Sequence, residues 1–166
     1  DPAKLERIRT TGVPAVTLPD ERWARCSIKS TGLLPNVLAK QTAKNQGAYE
    51  AWLYDEQGMI TEGTSTNAWI VSSDGILTTR HLDESILGGV TRSVFLALAA
   101  DAGISCDERP FSVEEARQAR EAFSTASTVG ATPIVSLDGV TIADGKPGPI
   151  TNDLNQRYRL HHKIGA

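Results

Sequence analysis

Ala48-Tyr49-Glu50-Ala51-Trp52-Leu53-Tyr54-Asp55-Glu56-Gln57-Gly58-Met59-Ile60-Thr61-Glu62 decides how this chain folds. Residues 48–54 read as a strand carrying Trp52 and Leu53, residues 55–58 as a tight turn closed by glycine, and residues 59–62 as the returning strand. The pattern recurs at once: Ala68-Trp69-Ile70-Val71 is an apolar strand, Ser72-Ser73-Asp74-Gly75 a turn, and Ile76-Leu77-Thr78-Thr79 its partner. Two successive hairpins, rather than regular strand-helix-strand units, point to a mixed or antiparallel sheet with helices packed against it.

Working outward, residues 1–10 have a loose helical pattern, and residues 13–18 read as a short strand interrupted by Pro14 and closed by Pro19. Residues 23–28 alternate well enough to predict a strand leading to Lys29. Residues 36–46, with Pro35 before and Gly47 after, carry helix start and stop signals. Downstream, Gly88-Gly89-Val90-Thr91-Arg92 opens an apolar helix that runs to Ala100 and is stopped by Gly103. Residues 104–110 read as a strand, and Ser112-Val113-Glu114-Glu115 as a capping box for a short helix. Residues 123–125, 133–137 and 140–142 are strand-like, the last two joined by Asp138-Gly139. Gly148-Pro149-Ile150-Thr151 opens a helix towards His161. With no repeats or linkers, the expected fold class is α+β: a mixed, mostly antiparallel sheet with packed helices, in one domain over residues 1–166.

Composition limits the function classes. The chain has 166 residues, 40% hydrophobic and 22% charged, ordinary for a globular domain and too apolar for disorder. Seventeen Lys and Arg against twenty Asp and Glu leave a net charge of −3. The absence of a basic block argues against nucleic acid as a partner. Cys26 and Cys106 lack metal-ligand spacing, and His81, His161 and His162 form no ligand pattern. No secretory pattern or membrane-length apolar run is visible, so a reducing, cytoplasmic setting is expected. The sole methionine, Met59, is internal and the chain begins at Asp1-Pro2, which suggests a piece of something longer.

Four places carry chemistry. Lys29, in Arg25-Cys26-Ser27-Ile28-Lys29-Ser30, precedes a Gly/Pro turn. An amine held in a cleft there loses its proton readily and attacks a carbonyl, whereas most lysines are simply solvated. Glu62 is followed by Gly63-Thr64-Ser65-Thr66-Asn67, a small polar run suited to lining a pocket with hydroxyls or to turning between strands. Gly88-Gly89-Val90-Thr91 at a helix start can seat a phosphate on backbone N–H groups. Ser124-Thr125-Ala126-Ser127-Thr128 supplies further hydroxyls, for the same phosphate or for the next turn.

These segments, met in order, resemble the fold-type IV pyridoxal-phosphate enzymes, the group of D-amino acid and branched-chain aminotransferases, (R)-selective amine transaminases and aminodeoxychorismate lyase. The resemblance runs through Cys26-Ser27-Ile28-Lys29-Ser30, Leu33-Leu34-Pro35-Asn36-Val37-Leu38-Ala39-Lys40-Gln41 and Gly47-Ala48-Tyr49-Glu50-Ala51. It continues in Thr61-Glu62-Gly63-Thr64-Ser65-Thr66-Asn67, Ile86-Leu87-Gly88-Gly89-Val90-Thr91-Arg92 and Asp144-Gly145-Lys146-Pro147-Gly148-Pro149. D-amino acid aminotransferases are the most similar subgroup, although Val129-Gly130-Ala131 departs from the acidic residue common there.

The resemblance implies the barrel-like core of the larger, C-terminal domain of these enzymes, pyridoxal 5'-phosphate as cofactor and a transaminase moving an amino group between a D-amino acid and a 2-oxo acid. Lys29 would be the catalytic residue, holding the cofactor as a Schiff base and shuttling the substrate proton. Glu62 would pair with the pyridine nitrogen, Leu87 pack on the ring, and Val90, Thr91, Ser127 and Thr128 cradle the phosphate. Thr64, Ser65 and Thr66 would line the pocket, with Glu50 in a surrounding layer near the lysine. The resemblance also implies a homodimer, and an N-terminal domain, absent from these residues, that would complete the substrate site or travel as a separate fragment. Branched-chain or (R)-amine transamination, lyase chemistry and an inactive cofactor-binding or dimerising remnant are the alternatives.

Overall fold

Among the described residues, 1–162, the computed structural model has five helices and nine strands. In chain order they are α1 (Pro2–Thr11), β1 (Val13–Pro19), α2 (Leu34–Asn45), β2 (Glu50–Tyr54), β3 (Ile60–Gly63), β4 (Asn67–Val71) and β5 (Leu77–Thr79). There follow α3 (Val90–Asp101), β6 (Cys106–Glu108), α4 (Val113–Arg117), β7 (Glu121–Ala126), β8 (Gly130–Leu137), β9 (Val140–Thr141) and α5 (Pro149–His162). Both predicted hairpins form: β2 pairs antiparallel with β3, and β4 with β5. The Asp138-Gly139 turn joins β8 to β9 with φ of 52° and 78°, a left-handed pair that glycine and a short acidic residue accommodate.

The strands make one sheet in the order β3-β2-β1-β8-β7-β4-β5-β6. Antiparallel ladders predominate, but β1 runs parallel to both neighbours, and β5 to β6. Five strand spacings separate β3 from β4, about 24 Å if the sheet were flat. Residues 64–66 alone connect them, and a link that short spans about 14 Å at most. The sheet therefore curls until β3 returns beside β4, the barrel-like form that the resemblance implies.

Alternation along each strand then sorts side chains between an inside and an outside. Ala15, Trp52, Ile60, Ala68, Ile70, Ala122 and Ile134, from six different strands, fill the curl with Ile8 of α1, Phe111 and Ala116 of α4. Their neighbours Trp69, Val71 and Phe123 face outward against Phe95 and Ala99 of α3 and Leu154 and Tyr158 of α5. Trp69 and Phe123, opposite each other across β4 and β7, stack with centroids 5.7 Å apart. The capping box at α4 is formed as predicted: Ser112 Oγ accepts from Glu115 N at 3.0 Å and Glu115 Oε2 from Ser112 N at 2.9 Å. Ser112→Ala is expected to lower unfolding free energy by about 1 kcal/mol. An unchanged urea midpoint would show that the box contributes nothing.

One predicted strand is absent. Residues 23–28 form an irregular segment turning at Cys26 and Ser27. Their alternation does not sort them between core and water, for Trp23 and Ile28 are 52% and 46% exposed and only Cys26 is buried. Asp20 Oδ1 accepts from Arg22 N at 3.1 Å, a local bond that bends the chain out of extension before pairing can begin.

Candidate active site

Glu62 lies on β3, whose four residues are all buried, and is 6% exposed. A carboxylate in that position needs partners. Its Oε1 takes an ion pair from Arg22 Nη1, and its Oε2 accepts from Asn67 Nδ2 at 3.1 Å and from Leu87 N at 3.2 Å. Burial pushes the Glu62 carboxyl above its usual range, and the charge of Arg22 and the Leu87 N–H pull it only part of the way back.

Arg22 is gripped from its other side as well. Its Nε donates to Asp20 Oδ1 at 2.8 Å, its Nη2 to Asp20 Oδ2 at 2.7 Å and to the Ser85 carbonyl at 2.9 Å. Burial opposes ionisation of Asp20, but the bonds and charge of Arg22 outweigh it and hold that carboxyl below its ordinary value. One guanidinium thus answers two buried carboxylates. The cluster is one positive charge short, on the side where Glu62 faces the start of α3.

That helix start is bound to Glu62 through Asn67, the first residue of β4. Asn67 Nδ2 donates to Glu62 Oε2 and also to the Leu87 carbonyl at 3.0 Å. Leu87 leads through Gly88 to Gly89, the N-cap of α3, where no side chain caps the helix. The first N–H groups of the helix and the positive end of its dipole are left for an anion. Thr91 is buried in this first turn and Val90 is 80% exposed. Thr125 pairs with Asn67 across β7 and β4, so Ser127 and Thr128 follow at the same end of the sheet, exposed in a turn. The Ser127 carbonyl accepts from Tyr158 Oη at 3.4 Å.

Other hydroxyls read from the sequence are turned elsewhere. Thr64 Oγ1 donates to Glu50 Oε1 at 2.6 Å and Thr66 Oγ1 to Glu50 Oε2 at 3.5 Å, while Ser65 is exposed. Glu50, fully enclosed, pairs with Lys40 Nζ at 3.2 Å. Ser124 Oγ accepts from the Trp52 indole at 2.8 Å and Thr125 Oγ1 from the Trp69 indole at 2.9 Å, so both serve the core.

Lys29 sits in the irregular segment between β1 and α2 and is exposed. The chain is tied down on either side of it: Ser27 Oγ donates to Glu84 Oε2 at 2.7 Å, and Asn36 Nδ2, in α2, to the Thr64 carbonyl at 2.8 Å. Lys29 lies in sequence between these two anchors, and Thr64 follows Glu62 by two residues; no hydrogen bond or ion pair joins Lys29 to Glu62 among the described residues. Sequence reasoning had no role for Arg22, Asp20 or Asn67. Asn67 stood at the end of the quoted Thr61–Asn67 motif, but Asp20 and Arg22 look like surface charges until the fold closes over them.

Residues 2–137 match the amino-transferase class IV family, and the chain belongs to it. A D-alanine aminotransferase of Listeria monocytogenes serotype 4b is 44% identical over 147 residues, 89% of this chain and 50% of its own length. A branched-chain aminotransferase of Thermoproteus uzoniensis, solved with norvaline, has a TM-score of 0.81 at 32% identity, covering 92% of this chain and 52% of that one. The branched-chain amino acid aminotransferase of Thermobaculum terrenum in its PLP form gives 0.82 at 27% identity, with 94% and 52% covered. The chain spans about half the length of the relatives it matches.

Proposed function

We propose that this chain supplies the cofactor-binding half of a pyridoxal-phosphate-dependent transaminase that exchanges an amino group between a D-amino acid and a 2-oxo acid. The observation that carries the reading is the pairing of a buried, charge-deficient carboxylate with an uncapped helix N-terminus, tied through Asn67. That pair complements a ligand cationic at one end and anionic at the other, as a protonated pyridine bearing a phosphate is. When bound, such a cofactor supplies an electron sink for the carbon losing its proton.

The chain's own groups divide the remaining work. Glu62 keeps a proton on the ring nitrogen, an interaction that its burial strengthens. Val90 and Thr91 offer N–H groups and a hydroxyl to the phosphate, with Ser127 and Thr128 beside them, and Leu87 covers the ring. Lys29 provides the amine that carries the cofactor and moves the substrate proton, which requires its segment to turn the side chain inward over β3. Substrate selection rests with the D-alanine aminotransferase likeness, at 44% identity. Dimerisation belongs to the same reading: Leu34, Val37 and Leu38, spaced to share one side of α2, are all more than half exposed.

The test is an assay of 2-oxo-acid-dependent amino transfer on the full polypeptide, with D-alanine, L-leucine and (R)-1-phenylethylamine as donors. Preferential use of D-alanine supports the reading. A preference for L-leucine or the amine would shift it to the other transaminases, and pyruvate release from aminodeoxychorismate without a 2-oxo acid would replace it with lyase chemistry.

A further inference from the structure

Asn67 makes more of its position than a strand residue needs. Both protons of its carboxamide nitrogen are used, one on Glu62 Oε2 and one on the Leu87 carbonyl. Leu87 N returns to the same Glu62 oxygen at 3.2 Å, and Gly89 N donates to the Leu87 carbonyl at 2.8 Å. A closed set of bonds therefore joins the acid of β3 to the first turn of α3. The carboxamide oxygen lies against Gly89, where any Cβ would collide with it. Gly89 has an extended backbone, φ −65° and ψ 134°, so its torsions do not call for glycine. The space taken by Asn67 does.

We infer that Asn67 is a positioning residue that fixes Glu62 relative to the N-terminus of α3, and so makes recognition of the ring nitrogen and of the phosphate a single coupled event. This rests on the cofactor reading above. The phosphate hangs on a short arm from the ring, so once it is seated the ring nitrogen reaches only a small region, and an acid free to rotate on β3 would meet it there in only some orientations. With Asn67 in place Glu62 is already aligned, and the ordering cost is met during folding rather than at binding. Gly89 then serves the asparagine as much as it serves an approaching phosphate.

The probe is the 1-deaza analogue of pyridoxal phosphate, in which a C–H replaces the ring nitrogen. Affinities for the analogue and for pyridoxal phosphate are measured by fluorescence titration of the full polypeptide, with melting of each cofactor-free variant as the check on folding. Wild type is expected to prefer pyridoxal phosphate by about tenfold to a hundredfold, the worth of one charge-assisted hydrogen bond. Asn67→Ala, and Asn67→Leu, which keeps nearly the shape but removes both donors without adding charge, are expected to bring that ratio close to one. Gly89→Ala, which displaces the carboxamide from the opposite side, is expected to do the same. A folded Asn67→Leu or Gly89→Ala protein that discriminates as well as wild type overturns the inference. A wild-type ratio near one overturns the assignment of Glu62 to the ring nitrogen, and the inference with it.

Discussion

Lys29→Ala is expected to abolish turnover, by about a thousandfold or more in kcat, and with it every borohydride-stable attachment of cofactor to the chain. The ground is the run from Cys26 to Ser30 in a chain that belongs to the class IV aminotransferases, in a segment tied down by the Ser27–Glu84 and Asn36–Thr64 bonds. Reduction of the loaded wild type, followed by trypsin, should yield one modified peptide running from Cys26 past an uncut Lys29 to Lys40. Adduct on another lysine, or an unaltered rate in the variant, would return Lys29 to the status of a solvated side chain.

Arg22→Ala should cost about 3–5 kcal/mol of folding free energy, the range for removing one member of a buried ion pair. The side chains of Arg22, Asp20 and Glu62 are 6%, 12% and 8% exposed, and without the guanidinium two carboxylates face each other with no cation between them. The sign of the pH dependence separates charge from lost packing. In the wild type the depressed Asp20 carboxyl contributes stability that is whole above its unfolded value, near 3.8, and is lost as pH falls below it. In the variant burial raises both carboxyls, so the penalty is full at neutral pH and is relieved as they take up protons. The difference from wild type should therefore shrink between pH 7 and pH 5 in urea unfolding. A loss equal at both values would assign the effect to packing.

The electrostatics also give the site its direction. Asp20, Arg22 and Glu62 carry a net negative charge, and they meet the positive end of α3 at Leu87. Opposite polarities a few residues apart, fixed before any ligand arrives, are what orient a small zwitterionic ring.

Much of the architecture was legible in the chain itself. The hairpins at residues 48–62 and 68–79, the helix opening at Gly88-Gly89 and the capping box at Ser112 are written in local turn chemistry and period-2 alternation, which act over a few residues. The candidate lysine, acid and phosphate seat were legible as a co-linear set of motifs. Residues 23–28 were misread because alternation describes a strand only where both a partner and a core are present, and here Arg22 draws the backbone into a bend instead.

Apart from residues 23–28, the sequence by itself determined the element order, and with it the family and the residue types available for chemistry, because these depend on neighbours along the chain. Tertiary structure alone decided which of those residues meet. Closure of the sheet, forced by the three-residue link from β3 to β4, buries Glu62, and with it Arg22 and Asp20, and brings Asn67 against Gly89. Burial and long-range charge depend on distances in space between segments up to tens of residues apart, which no local pattern encodes.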